Sequence, residues 1–459
     1  MGSEQRNRAQ TTPVGSRFKA YLEYKDSEVE WLREIPVHWD ALPLKRSFSV
    51  QLGKMLQNAP SSISDVLRPY LRAANLGWEG ARLQDVREMW LSPSDVRQYS
   101  LQAGDLLVSE GGDVGRTALW KGEIDECYIQ NAINRVRSRG RDLSRFLYYW
   151  LFTLKHAGYV DMLCSKATIS HFTAEKVAEV PFIAPPLPEQ EAIAAFLDRE
   201  TAKIDALIAK KQRLIELLEE KRQALITQAV TKGLDPNVPM KDSGVGWLGE
   251  IPRHWDVART KHLCRLESGH TPSRDHPEYW EDCKIPWFTL SDVWQLRDGW
   301  IEQITDTKEK VSELGLAHSS ARLLPKHTVI VSRTASVGFS AVMGCPMATT
   351  QDFANWICGP GMRPFYLLYV FRSMVQEFKR LTMGSTHQTI YMPDVGRFAA
   401  PVPPPREQDD IVAHVRRKTR SIKRLQARMG NAIGHLREYR TALISAAVTG
   451  KIDVRDEVA

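Results

Sequence analysis

Two long stretches of the chain, residues 189–234 and 407–452, carry apolar positions at heptad spacing and contain no proline. In each stretch one column of residues seven apart is almost entirely apolar, and a second column three residues later is about half apolar. This pattern is typical of a coiled-coil seam flanked by charged faces. The predicted seam residues are Leu197, Ile204, Leu207, Leu214, Leu218, Leu225, Val415, Ile422, Leu425, Met429, Leu436 and Leu443.

The length of these two stretches predicts that they pack on each other. At 1.5 Å per residue, a helix of about 45 residues would extend roughly 65 to 70 Å, which is too long for one small domain to cover. We therefore expect the two helices to cover each other as an antiparallel pair. The alternative that periodicity leaves open is a long amphipathic helix packed on its own domain.

Outside the helical stretches, the pattern changes to short apolar runs broken by turns, which predicts strands. Two of these runs lead directly into turns that contain glycine, and two others end in polar groups. Two aromatic runs are long enough to form helices and apolar enough to be buried. The predicted strands are 70–75, 106–108, 287–292 and 329–331, and the predicted buried helices are 146–152 and 365–371.

Two sequence blocks occur twice, at nearly the same offset. Trp-Leu-Arg-Glu-Ile-Pro-Val-His-Trp-Asp at 31–40 returns as Trp-Leu-Gly-Glu-Ile-Pro-Arg-His-Trp-Asp at 247–256. Ala-Leu-Ile-Thr-Gln-Ala-Val-Thr at 224–231 returns as Ala-Leu-Ile-Ser-Ala-Ala-Val-Thr at 442–449. A repeat of roughly two hundred residues is too long for a solenoid unit or a propeller blade. The chain therefore consists of two homologous halves in tandem.

Proline clusters at 181–188 and 401–405 mark where each globular region ends and a long helix begins. The predicted fold class is α+β, with two similar domains of mixed strands and helices separated by a long antiparallel two-helix coiled coil. The predicted divisions are a first domain at 1–188 with a flexible start at about 1–15, a first long helix at 189–235, a second domain at 236–406, and a second long helix with the C-terminal tail at 407–459.

Composition adds few constraints. The chain has 459 residues, of which 43% are hydrophobic and 25% charged, as in ordinary globular proteins. Its net charge of +7 permits a polyanionic partner but indicates one only weakly. The six cysteines form no Cys-x-x-Cys pair, which argues against a zinc module or a disulfide framework. No apolar run reaches membrane-spanning length, so we expect a soluble, cytoplasmic protein without a membrane partner.

The sequence lacks the common catalytic motifs. We find no phosphate-binding Gly-x-x-x-x-Gly-Lys-Ser/Thr, no His-Glu-x-x-His, no Gly-x-Ser-x-Gly, and no Asp-Pro-Pro-Tyr or Asn-Pro-Pro-Phe of an amino-methyltransferase. His38 and His254 each precede a tryptophan in the repeated block, which favours a packed structural corner over catalysis. We therefore expect a chain without catalytic residues, metal site or cofactor of its own.

Three repeated motifs together resemble the specificity (S) subunit of type I restriction-modification systems. They are Trp-Leu-Arg/Gly-Glu-Ile-Pro-x-His-Trp, Pro-Pro-Leu-Pro-Glu-Gln (Pro-Pro-Pro-Arg-Glu-Gln in the second copy) with its long helix, and Ala-Leu-Ile-x-x-Ala-Val-Thr, each present twice in the same order. The resemblance covers the chain after about the first fifteen residues. It implies two target-recognition domains that each read one half of a bipartite double-stranded DNA site, with helices that set the unread spacer between the halves.

The resemblance also implies partners that supply the chemistry. Modification subunits, expected to be two, would dock along the helices and carry S-adenosylmethionine for adenine-N6 DNA methylation. Restriction subunits would add ATP-dependent endonuclease activity to the assembled complex. The alternative function is a two-headed scaffold that binds proteins through its loops and does not bind nucleic acid.

Predicted DNA contacts lie where the two halves share an outline but differ in polar side chains, because loop side chains can select bases while the frame positions them. The alternative is ordinary drift of surface loops after duplication. The predicted contacts are Arg72, Asn75, Ser109, Glu110, Lys166, Thr168 and His171 in the first half, and Thr289, Ser291, Asp292, Arg333, Thr334, Ser336, Thr386, His387 and Gln388 in the second.

Overall fold

The structure is a computed structural model that describes residues 18–164, 171–382 and 388–457. The chain folds into two units. Unit 1 comprises the described parts of Met1–Lys211 and Asn431–Ala459, and unit 2 comprises those of Gln212–Gly430. Each unit therefore includes part of both long helices, whereas the sequence suggested that domains and helices would separate. No described helix is long and apolar enough to cross a membrane.

Unit 1 combines short strands with a few helices. Its strands are β1 (Tyr24–Asp26), β2 (Glu34–Pro36), β3 (Asp40–Pro43), β4 (Phe48–Leu52), β5 (Val66–Leu71), β6 (Leu76–Gly77), β7 (Gly80–Ala81), β8 (Arg87–Leu91), β9 (Leu106–Ser109), β10 (Thr117–Leu119), β11 (Tyr128–Ile129), β12 (Ile133–Ser138) and β13 (Pro181–Ala184). Its helices are α1 (Pro93–Tyr99), α2 (Ser144–His156), α3 (Tyr159–Cys164), α4 (Ala174–Glu179), the first part of α5 (Leu187–Lys232) and the last part of α11 (Pro405–Val448), with 3₁₀ turns at Leu44–Arg46, Ala73–Asn75 and Arg455–Glu457.

A four-stranded antiparallel sheet in the order β10-β9-β12-β4 forms the framework of unit 1. A second sheet, β11-β5-β8, accompanies it, and β11 runs parallel to β5. The aromatic helix α2 buries Phe146 and Trp150 in the main core, which confirms the buried helix predicted at 146–152. Strand β9 confirms the strand predicted at 106–108.

Unit 2 repeats this architecture. Its strands are β14 (Met240–Asp242), β15 (Glu250–Pro252), β16 (Asp256–Arg259), β17 (Cys264–Ser268), β18 (Ile285–Phe288), β19 (Gln303–Ile304), β20 (Glu309–Val311), β21 (Val329–Ser332), β22 (Ser340–Met343), β23 (Ala348–Thr349), β24 (Phe353–Cys358) and β25 (Ala399–Val402). Its helices are α6 (Thr260–Leu263), α7 (Glu313–Ala317), α8 (Pro364–Ser373), α9 (Val375–Thr382), α10 (Met392–Val395) and most of α11 (Pro405–Val448), with 3₁₀ turns at Pro277–Trp280 and Leu290–Leu296.

The sheet order of unit 2 matches that of unit 1, except that a fifth strand, β19, pairs parallel with β22 at the edge of the main sheet. Strands β17-β24-β21-β22 correspond to β4-β12-β9-β10, and β20-β18-β23 corresponds to β8-β5-β11. Helix α8 buries Tyr366 and Phe371, as predicted for 365–371, and β21 confirms the strand predicted at 329–331. The predicted strands 70–75 and 287–292 end early, at Leu71 and Phe288, because the polar residues that follow fold into 3₁₀ turns. The two halves are thus duplicated in fold as well as in sequence.

The long helices α5 and α11 pair antiparallel within each unit, as the periodicity predicted. In unit 1, Arg440 of α11 binds Asp205 of α5 with an Nε–Oδ1 distance of 3.0 Å. Beyond the end of α11, the carbonyl of Glu457 in the 3₁₀ turn Arg455–Glu457 accepts from Arg199 of α5 at 2.7 Å. In unit 2, the carboxamide of Gln426 donates to the Ile215 carbonyl at 3.4 Å. The helices begin at Leu187 and Pro405, two residues before the predicted starts.

One column of the predicted seam is wrong. In the first column, Leu197, Ile204, Val415, Ile422 and Leu443 are buried. The second column lies four residues after the first, whereas the sequence indicated three. The residues that occupy it, all buried or half-buried, are Thr201, Ile208, Ile215, Arg222, Ala229, Thr419, Gln426, Ile433, Arg440 and Ala447.

Polar residues in the second seam column explain why the sequence pattern indicated a different column. Five residues of the second column are polar, and each has a hydrogen-bond partner. Thr419 donates to the Val415 carbonyl at 2.8 Å and Arg222 binds Glu219 within their own helices, whereas Gln426 and Arg440 bond to the other long helix. Because these residues are polar, the spacing of apolar residues favoured the column that contains the nearby leucines. Leu207, Leu214 and Leu425 instead face outward, with 47%, 43% and 43% of their surface exposed, while Leu218, Leu225, Met429 and Leu436 are half-buried.

The repeated Glu-Gln and His-Trp motifs form matching junctions in the two units. Glu189 binds the His38 ring at 2.8 Å, and Glu407 binds His254 at 2.9 Å. The tryptophans next to both histidines are fully buried, as the packed-corner interpretation predicts. These residues join the start of each long helix to the domain before it.

Gln190 and Gln408, the glutamines that follow these glutamates, are fully buried. The Gln190 Oε1 accepts from the Leu143 amide at 2.8 Å, and its Nε2 donates to the Pro185 carbonyl at 2.8 Å. Gln408 makes the corresponding bonds to the Arg363 amide and the Pro403 carbonyl. A proline-rich boundary leaves carbonyls without nearby amide donors, and the glutamine supplies them.

Candidate nucleic-acid interface

In unit 1, several loops converge at the edge where β4 and β9 end and β12 begins. The Glu110 amide donates to the Ala132 carbonyl at 2.9 Å, and the Asn131 amide donates to the Lys54 carbonyl at 2.9 Å. The Phe172 amide donates to the Glu110 carbonyl at 2.9 Å, which joins a fourth segment to the group. We name this group the first loop cluster; it consists of residues 53–54, 110–112, 130–132 and 171–172.

Unit 2 brings the corresponding loops together. The His270 amide donates to the Thr349 carbonyl at 3.0 Å, and the Arg333 amide donates to the Asp352 carbonyl at 2.9 Å. The Ile390 amide donates to the Arg333 carbonyl at 2.8 Å. We name this group the second loop cluster; it consists of residues 269–271, 333–336, 350–352 and 388–390.

A glycine at the same repeat position lets the backbones meet in each cluster. A Cβ atom on Gly53 would lie 2.3 Å from the Gln130 carbonyl oxygen, and one on Gly269 would lie 2.1 Å from the Thr349 carbonyl oxygen. Real Cβ atoms do not approach backbone that closely, so only glycine fits. The framework of the two clusters is therefore the same, and their side chains differ.

Among the residues predicted in unit 1, Glu110 and His171 lie in the first loop cluster. Glu110 is half-buried, and this burial raises the pKa of its carboxyl, an effect that the nearby His171 partly opposes. The His171 side chain is exposed. Arg72 lies beside the cluster, because the Gln130 amide donates to the carbonyl of the preceding Leu71 at 3.0 Å. Lys166 and Thr168 lie outside the described residues.

Among the residues predicted in unit 2, Arg333, Thr334, Ser336 and Gln388 lie in the second loop cluster. The Arg333 guanidinium is half-exposed and donates to the Gln351 carbonyl at 2.9 Å. Ser336 and Thr334 are half-buried, and Gln388 is exposed. Thr386 and His387 lie outside the described residues.

Four predicted contacts have structural roles. Asn75 and Asp292 occupy equivalent positions in the 3₁₀ turns after β5 and β18 and accept bonds from the amides of Arg72 and Thr289 at 3.1 Å and 3.0 Å. Ser109 is buried and donates to the Gly111 carbonyl at 2.7 Å. Thr289 is also buried, while Ser291 is exposed. The side chains of Asn75, Asp292, Ser109 and Thr289 have almost no surface with which to contact a base, and the set proposed below omits them.

Three cluster residues escaped the sequence prediction. Asn131 in the first cluster is half-exposed, and His270 and Gln351 in the second are exposed. The Gln351 carboxamide accepts from the Thr271 hydroxyl at 3.0 Å, which holds it at the surface. The only sequence signal for this region is the shared position of the two cluster glycines, since the loops themselves are not similar.

The side chains at the two clusters can form hydrogen bonds with base edges. Carboxamides such as those of Asn131 and Gln351 match adenine in the major groove, and a guanidinium such as that of Arg333 matches guanine. At the position where the second cluster has the Arg333 guanidinium, the first cluster has the Glu110 carboxyl. The clusters therefore offer different hydrogen-bonding patterns on one framework. Among the described residues, no group of three or more His, Cys, Asp or Glu side chains could hold a metal ion.

Comparison with known sequences agrees with the duplicated architecture. The family described as type I restriction modification DNA specificity domain matches residues 92–217 and 252–428, which is more than half of the chain. The MjaIX specificity subunit of a type I restriction enzyme from Methanocaldococcus jannaschii is 31% identical over 166 residues, covering 36% of this chain and 38% of that protein. The EcoR124I/EcoR124II specificity subunit from Escherichia coli is 26% identical over 285 residues, covering 59% and 62%.

Solved structures show the same fold. A chain from a study of complex assembly and conformational transition of the type I R-M system superposes with a TM-score of 0.67 and 16% identity, covering 90% of this chain and 98% of that one. The HsdS subunit from Thermoanaerobacter tengcongensis superposes with a TM-score of 0.51 and 16% identity, covering 91% and 98%. Two matched segments within one duplicated framework identify the family, and the chain belongs to the type I restriction-modification DNA specificity domain family.

Proposed function

We propose that this chain is the non-catalytic specificity subunit of a type I restriction-modification complex and that each unit reads one half of a bipartite DNA site. The observation that carries this proposal is the pair of loop clusters, which share a strand framework and present different polar side chains. A duplicated strand framework with different loops is suited to recognising two different base sequences on one DNA duplex. The family membership favours this function over the alternative of a protein-binding scaffold.

The proposed DNA contacts are polar residues in or beside the two clusters whose side chains are exposed or half-exposed. This set keeps the predicted residues whose side chains are exposed or half-exposed. It adds Asn131, His270 and Gln351, which only the structure brings to the clusters. The proposed set is Arg72, Glu110, Asn131 and His171 in unit 1, and His270, Ser291, Arg333, Thr334, Ser336, Gln351 and Gln388 in unit 2, together with the predicted Lys166, Thr168, Thr386 and His387 outside the described residues.

We expect the double variant Arg333→Ala/Gln351→Ala to change or lose the bases read in one half of the site and to leave the other half unchanged. Each lost base contact should weaken discrimination by about 1–3 kcal/mol. The measurement is sequencing of methylated adenines in cells that express the chain with its modification partner. Arg420→Ala, an exposed change on α11, is the control and should leave the methylated sequence as it was. A change in both halves, or in neither, would contradict the assignment.

The partners and chemistry follow from the same proposal. Modification subunits, two in the assembled complex, would bring S-adenosylmethionine and adenine-N6 methyl transfer, and restriction subunits would bring ATP-dependent cleavage. The α5–α11 pair would set the spacer between the half-sites, and the complex would act in the cytoplasm. Binding of S-adenosylmethionine by the isolated chain would contradict this division of labour.

Exposed leucines on the long helices support docking of the modification subunits there. Leu207 and Leu214 are one heptad apart on α5, and Leu217 lies one turn beyond, with 44% of its surface exposed. Apolar side chains in such a row on a helix are typical of an interface with a partner helix. The structure therefore explains why leucines that do not form the α5–α11 seam nevertheless recur at heptad spacing.

We expect Leu207→Lys/Leu214→Lys to reduce co-purification of the modification subunit by about tenfold or more without unfolding the chain, because both side chains are already exposed. Ala202→Lys/Ala209→Lys makes the same heptad-spaced change on another exposed face of α5 and serves as the control. The amount of modification subunit retained by the tagged chain is measured, with circular dichroism to check folding. Equal retention by both double variants would place the docking surface elsewhere.

A further inference from the structure

Unit 2 contains a cavity of about 430 Å³ between the last part of α5, the turn that joins β21 to β22, and helices α8 and α9. Its walls are mainly apolar and include Ile226, Val337 and Phe378. A cavity of this size with apolar walls and a few polar groups is typical of small-molecule sites. None of the residues proposed to select bases forms these walls except Gln388 at the margin.

All the charged side chains among the described lining residues of the cavity are cationic. Arg222, Arg297, Arg372 and Lys379 line it, and no Asp or Glu is among its described lining residues. Arg222 binds Glu219, and the buried Arg372 guanidinium donates to the carbonyls of Gly299 and Ile301, so these two cations are engaged by the fold. Arg297 and Lys379 have no ion-pair partner among the described residues. Within the described part of the chain, these two exposed cations are therefore available to attract an anion.

A buried hydroxyl in the cavity wall also lacks a partner. Ser340 is 3% exposed, and its Oγ forms no hydrogen bond with the described residues. This Oγ has almost no accessible surface, so it lies behind the cavity wall, and an occupant would contact the apolar side chains and the cations instead.

The corresponding region of unit 1 has neither feature. Thr117 occupies the position of Ser340, but its hydroxyl donates to the Gly115 carbonyl at 3.1 Å. Gly115 of unit 1 and Gly338 of unit 2 are equivalent. A Cβ atom on Gly115 would meet Val160 of α3, and one on Gly338 would meet Phe378 of α9, so α3 and α9 occupy equivalent places. This alignment places Asp161 where unit 2 has Lys379. The two units therefore share the strand framework, whereas the Lys379 cation and the unpaired Ser340 hydroxyl are features of unit 2.

We propose that this cavity binds an organic anion about the size of a mononucleotide. Its ring would pack against Ile226, Val337 and Phe378, and its phosphate or carboxylate would face Arg297 and Lys379. Val337 continues directly from the segment 333–336 of the second loop cluster, so an occupant would fix the conformation of that turn. This last consequence for DNA reading rests on the proposed function, whereas binding itself does not.

The test uses the full-length chain without DNA and the fluorescent aromatic anion anilinonaphthalene sulfonate as the probe. We expect saturable binding at one site, displaced by adenosine monophosphate. Arg297→Glu/Lys379→Glu should weaken probe binding by about tenfold or more. Lys418→Glu/Arg420→Glu produces the same change in net charge on exposed α11 residues and should leave probe affinity within about twofold. Thermal unfolding of both double variants checks that the fold is intact.

Three results would overturn the proposal. They are the absence of saturable probe binding, an equal loss of affinity in the two charge-reversal variants, and displacement by inorganic phosphate at the concentration that suffices for adenosine monophosphate. The last result would show that the apolar walls do not select a ring. Because adenine methylation is measured separately, a failure of this proposal leaves the assignment of DNA reading intact, and a failure of that assignment leaves probe binding unaffected.

Discussion

Replacing Gly269 by alanine is expected to destabilise unit 2 by about 3 kcal/mol, because the new Cβ would overlap main-chain atoms that cannot move independently. It would lie 2.1 Å from the Thr349 carbonyl oxygen and 2.4 Å from the Thr350 carbonyl oxygen. Relief requires β17 and the segment after β23 to separate, and this separation would open the second loop cluster. The variant should therefore lose stability and, under the proposed function, reading of one half-site.

Denaturant unfolding combined with hydrogen exchange is the appropriate measurement for Gly269→Ala, because a chain with two units does not unfold in a single two-state step. Faster exchange is expected in β17 and β24, with exchange in unit 1 unchanged. Gly430→Ala is the matched control: a Cβ there meets no atom within 4 Å, and the residue lies inside α11. It should stabilise the helix by up to about 1 kcal/mol. Equal stability of the two variants would show that the loop contact is not tight.

Replacing Gln408 by alanine is expected to cost about 3 kcal/mol, because three backbone groups would lose their side-chain partner at a buried helix start. The Gln408 carboxamide accepts from the Arg363 amide at 2.8 Å and donates to the carbonyls of Gly361 and Pro403 at 2.8 Å and 2.9 Å. Gln408→Glu keeps the acceptor but removes both donations, so it should destabilise unit 2 as well.

The control for Gln408 is Gln376→Ala, which truncates an exposed glutamine of α9 and should change the free energy of unfolding by less than about 0.5 kcal/mol. The measurement is the denaturation midpoint of the unit 2 transition. If Gln408→Ala and Gln376→Ala had the same midpoint, the glutamine of the repeated motif would have no structural role at this junction. The equivalent Gln190→Ala should then be examined in unit 1, where two of the three bonds have counterparts.

The sequence was most informative where a pattern repeats over many residues. Heptad spacing over about 45 positions predicted both long helices to within two residues of their starts. The paired motifs predicted two similar domains, and the aromatic runs predicted the buried helices α2 and α8. These features depend on periodicity and local burial, which the chain specifies residue by residue.

Sequence reasoning failed where neighbouring alternatives have similar local energies. Hydropathy cannot distinguish a second seam column three residues after the first from one four residues after it when polar residues satisfy their own hydrogen bonds. Leu207 and Leu214 were therefore assigned to the seam although they are exposed. Asn75 and Asp292 resembled surface polar groups, but the turns in which they lie bury them as caps.

By itself, the sequence determined the duplication, the two long helices and the family to which the chain belongs, because repeated motifs and heptad spacing are properties of residue order. Only the tertiary structure decided which loops meet. Asn131, His270 and Gln351 join the clusters through strand pairings between distant segments, and Arg297, Lys379 and Ser340 line one cavity for the same reason. Such proximity depends on the closure of long loops against the sheet, a property that no local pattern of side chains encodes.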